Sequence, residues 1–443
     1  MVITKSFGFT KNVFFLFNNK MLAFVVGILF TLIIANYLGP AKYGLVIYFI
    51  SFAEGLSAVI GLNYITSLFS NVFPKEKSYS FFKTFMLINI IAGFTLFLVL
   101  FFFAEPISIL IGKGEYSTLL AFTSILALTY PVYLSISTLF KGFKLFGKVL
   151  KVMGSVAILN LVLAAYLTIF GGMDVLGEGI IIAKIITVSL GILVFGILLR
   201  KLNFSRKKIN WSELKEYSVF AIPLTYIRAF NAQAVILFIG WFLNPVVTGF
   251  YYLIEKIVSL LVSSILSSFH EVVLPYSLEK YKDKKTIGNY LSLTVKAGLI
   301  ISLIISILII IIARPVIGFF FPDYVGGVYL VPLFCVLSIL SSFSTINTAF
   351  VSLNKMKYLV LSYSATFAVF LIAGFTLTPI YDAVGLIVAL IFSSSANIIT
   401  MYLMLPRIGV KINLIPSRTD LDFFKKSFKT FLYWLIRKKQ RGN

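Results

Sequence analysis

Residues 200–217 read Arg-Lys-Leu-Asn-Phe-Ser-Arg-Lys-Lys-Ile-Asn-Trp-Ser-Glu-Leu-Lys-Glu-Tyr. Six long apolar runs precede this basic stretch and six follow it. A helix needs about 20 apolar residues to cross a hydrocarbon core. The runs lie at roughly 12–38, 43–69, 80–104, 116–140, 149–171, 177–199, 218–243, 247–274, 288–312, 327–352, 358–379 and 382–405. Outward from 200–217, cations recur in every second gap. On the N-terminal side these are Lys141, Lys144 and Lys148, then Lys75 and Lys77, then Lys5 and Lys11. On the C-terminal side they are Lys280, Lys282, Lys284 and Lys285, then Lys355 and Lys357, then the tail from Arg407 onward. The alternate gaps hold only Lys42, Lys113 and Arg314. Short loops rich in Lys and Arg stay cytoplasmic. The pattern therefore predicts an all-α polytopic protein of the cytoplasmic membrane, with about 12 transmembrane helices and both termini cytoplasmic.

Composition agrees. The chain of 443 residues is 59% hydrophobic and 12% charged, with mean hydropathy +1.00, whereas soluble domains carry about 25% charged residues. The net charge of +23 sits in short gaps between spans, so it addresses the membrane surface and not nucleic acid. Cys335 is the sole cysteine and cannot form an internal disulfide; His270, the sole histidine, cannot build a zinc cluster. The first apolar run is longer than the h-region of a signal peptide, about 7–15 residues, and is read as a retained span.

The stretch at 201–217 divides the chain into bundles at 1–200 and 218–405, followed by a basic tail at 406–443. The two bundles look like repeats. Leu38-Gly39-Pro40 precedes Gly44 as Leu243-Asn244-Pro245 precedes Gly249, each in the turn between the first two spans of its half. Ala104-Glu105-Pro106-Ile107 and Ala313-Arg314-Pro315-Val316 follow at the ends of the third spans. Pro stops a helix and Gly or Asn permits a tight reversal. An even number of spans per half makes the repeats parallel, giving two pseudo-symmetric six-helix bundles, a plan in which substrate binds between the halves.

Charges inside the spans are costly, about 2.5–3.5 kcal/mol for a central Lys or Arg on insertion scales. Lys184, Arg228, Lys256 and Lys296 lie within spans, opposed by the deep acids Glu54 and Glu255. Lys20, Lys83 and Lys296 can snorkel toward headgroups. Glu255 could neutralise Arg228, and Glu54 is either a coupling carboxylate or a hydrogen-bonded structural acid. Asn63, Asn89, Asn160, Asn231, Gln233, Asn347 and Asn397 read mostly as interhelical glue, with Asn231 placed to share a face with Arg228. A cationic cavity selects an anion, and phosphate or diphosphate fits paired Arg donors and the point charge of Lys. A lipid-borne anion would suit a cavity open sideways to the bilayer.

In the tail, Phe424, Phe428, Phe431, Leu432 and Leu435 recur at helical spacing opposite Lys425, Lys426 and Lys429. This predicts an amphipathic helix on the anionic inner leaflet. The sequons at Asn203 and Asn210 fall in a cytoplasmic gap. No Walker loop is present, and His270-Glu271 lacks the second His of a zinc protease, so no enzyme and no cofactor are expected.

The stretch Ala35-Asn36-Tyr37-Leu38-Gly39-Pro40-Ala41-Lys42-Tyr43-Gly44-Leu45 resembles the first outer turn of the polysaccharide transporter family, the O-antigen-type flippases of the multidrug/oligosaccharidyl-lipid/polysaccharide exporter superfamily. Thr248-Gly249-Phe250-Tyr251, then Lys256, then Pro275-Tyr276-Ser277 resemble the family's second-half pattern. The resemblance implies a V-shaped pair of six-helix bundles that flips a lipid-diphosphate-linked oligosaccharide by alternating access, with glycan-assembly proteins as partners. Among the deep charges it carries over Lys256 alone; Lys184, Arg228 and Lys296 rest on the cost of burying charge. Coupling would come from the membrane potential or from an ion. The alternative is a multidrug/cation antiporter of the same superfamily, which needs deep acids; a non-transporting scaffold is a third reading, which a closed interior would favour.

Overall fold

The computed structural model describes residues 2–60, 79–143, 145–173, 177–200, 202, 204, 211–280, 284–353 and 355–414. The basic gap at Lys75 and Lys77, Asn63, the sequon asparagines Asn203 and Asn210, and the amphipathic stretch at 421–437 lie outside them, as do the side chains of Lys20 and His270. In hydrocarbon every backbone N–H and C=O must find its partner within the chain, and long apolar runs meet that demand as helices. The main helices are α1 (Val2–Ile60), α2 (Tyr79–Phe102), α3 (Ala104–Leu110), α4 (Ser117–Gly142), α5 (Phe146–Ala165), α6 (Glu178–Leu199), α7 (Trp211–Phe242), α8 (Pro245–Lys280), α9 (Lys284–Phe320), α10 (Val331–Ser341), α11 (Asn347–Ser352) and α12 (Met356–Met404). No strand occurs among the described residues.

Ten helical runs among these residues are long and apolar enough to cross a membrane. Two of them fold back on themselves, so the runs make twelve crossings. In α1 the reversal is at Gly39, whose φ of 71° is accessible to glycine at little cost, and Pro40 then opens the second arm where a missing N–H is harmless. Packing shows the reversal. On the first arm Gly27 meets Leu260 of α8, whereas on the second arm Pro40 and Gly44 meet Gly249 of α8 and Gly55 meets Gln233 of α7. Both arms therefore descend from the same turn. In α12 the reversal is at Asp382, φ 48°, and Ser362 of one arm bonds Asn397 of the other, from hydroxyl to side-chain oxygen at 2.5 Å.

The third spans of the two halves end differently. The first half breaks at Phe103 and restarts as α3, which carries Pro106; α9 runs unbroken through Pro315 to Phe320. The basic stretch between the halves is shorter than 201–217, because α7 already begins at Trp211. The tail also begins later than 406. A 3-10 turn at Pro406–Ile408 leads into a strap whose Val410 and Ile412 are buried in the second half. The Asn413 N–H donates to Ser292 Oγ at 2.9 Å, and Gly288 on α9 leaves room for the Lys411 carbonyl.

The halves join at the end of the molecule opposite the basic gaps. A single buried core there draws on both halves, including Tyr48, Phe49, Phe238, Leu253, Tyr324 and Phe334. Nearer the basic end the described cores are separate: Tyr133, Phe140 and Phe195 in the first half, Leu291, Phe350 and Met401 in the second. Gly44 and Gly249, matched in the sequence repeats, abut one another on the pseudo-axis. Around them side chains of each half donate to helix-end carbonyls of the other. Asn36 Nδ2 donates to Phe320 O at 2.6 Å and Trp241 Nε1 to Leu110 O at 2.8 Å. Asn36 and Trp241 each stand eight residues before their paired glycine, and Phe320 and Leu110 are the last residues of α9 and α3. The two bonds are thus one contact made twice by pseudo-symmetry. Tyr324 OH donates to Ala35 O at 3.1 Å, and Lys113 Nζ to Leu243 O at 2.8 Å. Lys113 is 7% exposed, and burial pushes its ammonium below the usual lysine range. It nonetheless sits at the C-terminus of α7, where the helix dipole favours a cation.

A Cβ at position 249 would collide with the Pro40 carbonyl, whereas one at Gly196 on α6 meets nothing within 4 Å. Gly249→Ala should therefore lower the melting temperature of the detergent-purified protein by several degrees, on the order of 1–3 kcal/mol for a backbone overpacking contact, and Gly196→Ala should leave it unchanged. Equal melting temperatures for the two variants would show that the halves do not meet at this contact.

Candidate functional site

The four cations singled out in the sequence lie on four successive crossings, in unlike surroundings. Lys256 on α8 is exposed, although it lies in mid-span. Helical geometry places residues 249, 256 and 260 on one stripe, and Gly249 and Leu260 both touch α1 of the other half. Lys256 therefore stands on the face of α8 that is turned across the seam between halves. Glu255, one position earlier, points about 100° away. It is half-buried, with the Ser259 hydroxyl within hydrogen-bonding reach.

Arg228 on α7 is also exposed, and its guanidinium lies 5.1 Å from the centre of the Tyr363 ring on α12. A cation over an aromatic face is held electrostatically. Asn347 Nδ2 in turn donates to Tyr363 OH at 3.2 Å, which links α7, α12 and α11. Arg228 shares a stripe with Leu224, a member of the second half's own core. It stands about 140° around the helix from Gln233, which touches the first half. Arg228 thus stands on the side of α7 turned to its own half, and Lys256 on the seam. No ion pair joins Arg228 to Glu255 among the described residues, so the neutralisation weighed in the sequence does not form.

Lys184 on α6 is paired. Its Nζ lies 2.5 Å from Glu54 Oε1 on the second arm of α1, with the two side chains 26% and 20% exposed. The Tyr130 ring of α4 lies 5.8 Å from the ammonium. Thr187, almost one turn further on, reaches Asn160 Oδ1 at 3.4 Å. The cluster carries no net charge, so Lys184 is not a free cation for an anion. Lys296 on α9 is 6% exposed and buried, while Lys83 is exposed. The arrangement thus brings Glu54 and Lys184 together, sets Lys256 on the seam, and places Arg228 against Tyr363.

Some residues of the site were not singled out. Tyr130 and Tyr363 hold the two cations from neighbouring helices, and tyrosines in an aromatic-rich chain carry no distinguishing sequence signal. Lys113 did have one, as a lysine between Gly112 and Gly114 at the end that is otherwise poor in cations. Gln233, read as glue, is 5% exposed, and neither end of its amide has a hydrogen-bond partner among the described residues.

A family model described as "Polysaccharide biosynthesis protein" matches residues 9–280. No curated protein sequence matches the chain significantly. Among solved structures, the lipid II flippase MurJ in an inward closed conformation superposes with a TM-score of 0.68 at 16% identity, over 97% of this chain and 92% of that one. A MOP superfamily transporter from Pyrococcus furiosus, titled for the reverse polarity of its binding pocket, gives 0.68 at 15% identity over 90% and 96%. The MATE multidrug transporter DinF-BH gives 0.65 at 18% identity over 90% and 95%. At these identities the likeness is one of fold. The family match spans more than half of the sequence, and the chain belongs to the polysaccharide biosynthesis protein family, built on the two-lobed helical fold of MOP-superfamily transporters.

Proposed function

We propose that this protein is a flippase that moves a lipid-diphosphate-linked oligosaccharide across the cytoplasmic membrane for surface polysaccharide synthesis, by alternating access between its halves. The observation that carries the reading is Lys256: an exposed ammonium in mid-span, turned across the seam between two pseudo-symmetric bundles. A cation there is costly unless it faces water or an anion, and a diphosphate is an anion that reaches this depth on a lipid. The fold likeness to a lipid II flippase and the family's description support the same substrate class.

In this reading the basic gaps and both termini are cytoplasmic, and the closed end faces outward. The diphosphate enters from the cytoplasmic side and meets Lys256. Arg228, exposed and 5.1 Å from the Tyr363 ring centre, would leave that ring to offer paired donors that suit phosphate oxygens. The sugars follow into the seam while the polyprenyl tail stays in lipid. The halves then separate at the far end. Glu54 and Lys184 form an internally neutral pair that adds no charge to the chamber; protonation of Glu54 would release Lys184, which offers one coupling step. A second reading, cation-coupled multidrug antiport, is favoured by the deep acid Glu54 and by the likeness to DinF-BH.

Lys256→Met and Arg228→Gln should each lower glycan export in cells about tenfold or more and trap lipid-linked glycan on the cytoplasmic leaflet. A lost charge-assisted hydrogen bond is worth roughly 1.5–3 kcal/mol, and every 1.4 kcal/mol is about tenfold. Export at the wild-type level together with loss of dye efflux would replace the flippase reading with the antiporter.

Glu54→Gln and Lys184→Met should each destabilise the protein, by less than the ~3–5 kcal/mol lost when a fully buried pair is broken, because both groups keep some exposure. The double variant should recover most of the loss. Thermal unfolding in detergent reads this, and strictly additive losses would show that the two charges do not act as a pair.

A further inference from the structure

Gln233 occupies a place that packing alone does not explain. It is 5% exposed, and both its Oε1 and Nε2 lack a hydrogen-bond partner among the described residues. Its amide presses against Gly55 of the opposite half, so closely that a Cβ on residue 55 would collide with the Gln233 oxygen. A buried amide left unpaired costs stability, and Leu or Met at this position would fill the space without that cost. The residue before Gly55 is Glu54, whose carboxylate is already engaged by Lys184, so the amide has no carboxylate of its own to answer.

The depth of Gln233 is informative. It lies seven residues before Gly240 on α7, and Gly240 packs against Tyr48 and Ile111 at the closed end. Lys256 lies seven residues after Gly249 on α8, at the matching close contact. Seven residues of helix span about 10 Å, so Gln233 and Lys256 stand at one level on adjacent helices, both facing the first half. One is a point charge and the other a neutral planar group with two donors and an acceptor. An ammonium answers phosphate. A neutral amide cannot neutralise phosphate, but it matches the paired donor and acceptor character of vicinal hydroxyls.

We infer that Gln233 is a specificity-determining residue, which reads the hydroxyls of the sugar next to the diphosphate once the halves part along the Gly55 seam. The inference rests on the flippase reading and extends it. In this structure the amide is held between the halves with no hydrogen-bond partner among the described residues. In the parted state the same amide is free to bond the glycan while Lys256 holds the phosphate. A glycan that supplies those bonds therefore favours parting, and a sugar-free lipid diphosphate does not.

The test uses the full chain purified in detergent and two probes: a polyprenyl diphosphate carrying a disaccharide, and the same polyprenyl diphosphate without sugar. Binding is read by thermal shift and by titration. Wild type should bind the sugar-bearing probe more tightly, by roughly threefold to tenfold, the worth of one or two net hydrogen bonds. Gln233→Leu should abolish that preference, leave the affinity for the sugar-free probe within about twofold, and raise the melting temperature of the unliganded protein. Gln233→Asn, a shorter amide, should restore part of the preference. Retention of the full sugar preference by Gln233→Leu would overturn the assignment while leaving the flippase reading intact. A lowered melting temperature with unchanged preference would reduce Gln233 to a packing residue. Failure of wild type to bind either probe would overturn the flippase reading, and this inference with it.

Discussion

Backbone meets backbone at Gly44, Gly249 and Pro40, and the rest of the architecture depends on that approach. No side chain fits between the halves at this point. The glycines let two helical hairpins, one from each bundle, stand back to back on the pseudo-axis. Once they do, the bulky residues around them, such as Tyr48, Phe49, Phe238 and Tyr324, form one core that belongs to neither bundle alone. The constraint is steric and local. Everything closer to the basic end is built from cores that each half keeps to itself.

The electrostatic layout follows from the same division. In hydrocarbon a charge needs a partner, a wet face or an aromatic ring, and the chain uses all three. Lys184 has a carboxylate from another helix of its own half. Arg228 has a tyrosine face, itself braced by an asparagine. Lys256 has the seam. Only the last of these is available to a molecule that enters between the halves without first displacing a protein partner. This is why one lysine, and not the sum of the deep positive charge, anchors the functional reading.

Much of the fold was legible in the sequence, and for plain reasons. Crossing number comes from run length, and the reversals from Gly39-Pro40 and Leu243-Asn244-Pro245. The repeat of Gly44 at Gly249 was legible as well, though not that the two glycines would touch. Less could be read of the site. A helix surrounded by lipid and by other apolar helices is hydrophobic on every side, so periodicity does not say which face is which. Hence Arg228 could not be separated from the seam, and Glu54 could not be matched with Lys184, which is 130 residues away in the chain. Glu255 looked the better placed counter-charge only because it is near in sequence. The strap from Gly409 to Leu414 was also hidden, since a short segment with three apolar residues does not announce that Gly288 has left it a groove.

The doubled hydrogen bond, Asn36 to Phe320 and Trp241 to Leu110, has a mechanical consequence. Two equivalent ties placed symmetrically about the pseudo-axis would share the strain of the proposed parting of the halves, and would then release and re-form together. Partial release of one corner would twist the axis against the packed glycines, which do not yield. Such a closure behaves as a bistable catch and not as a graded valve. If the halves part as proposed, a cargo between them would meet a doorway that is either shut or fully clear.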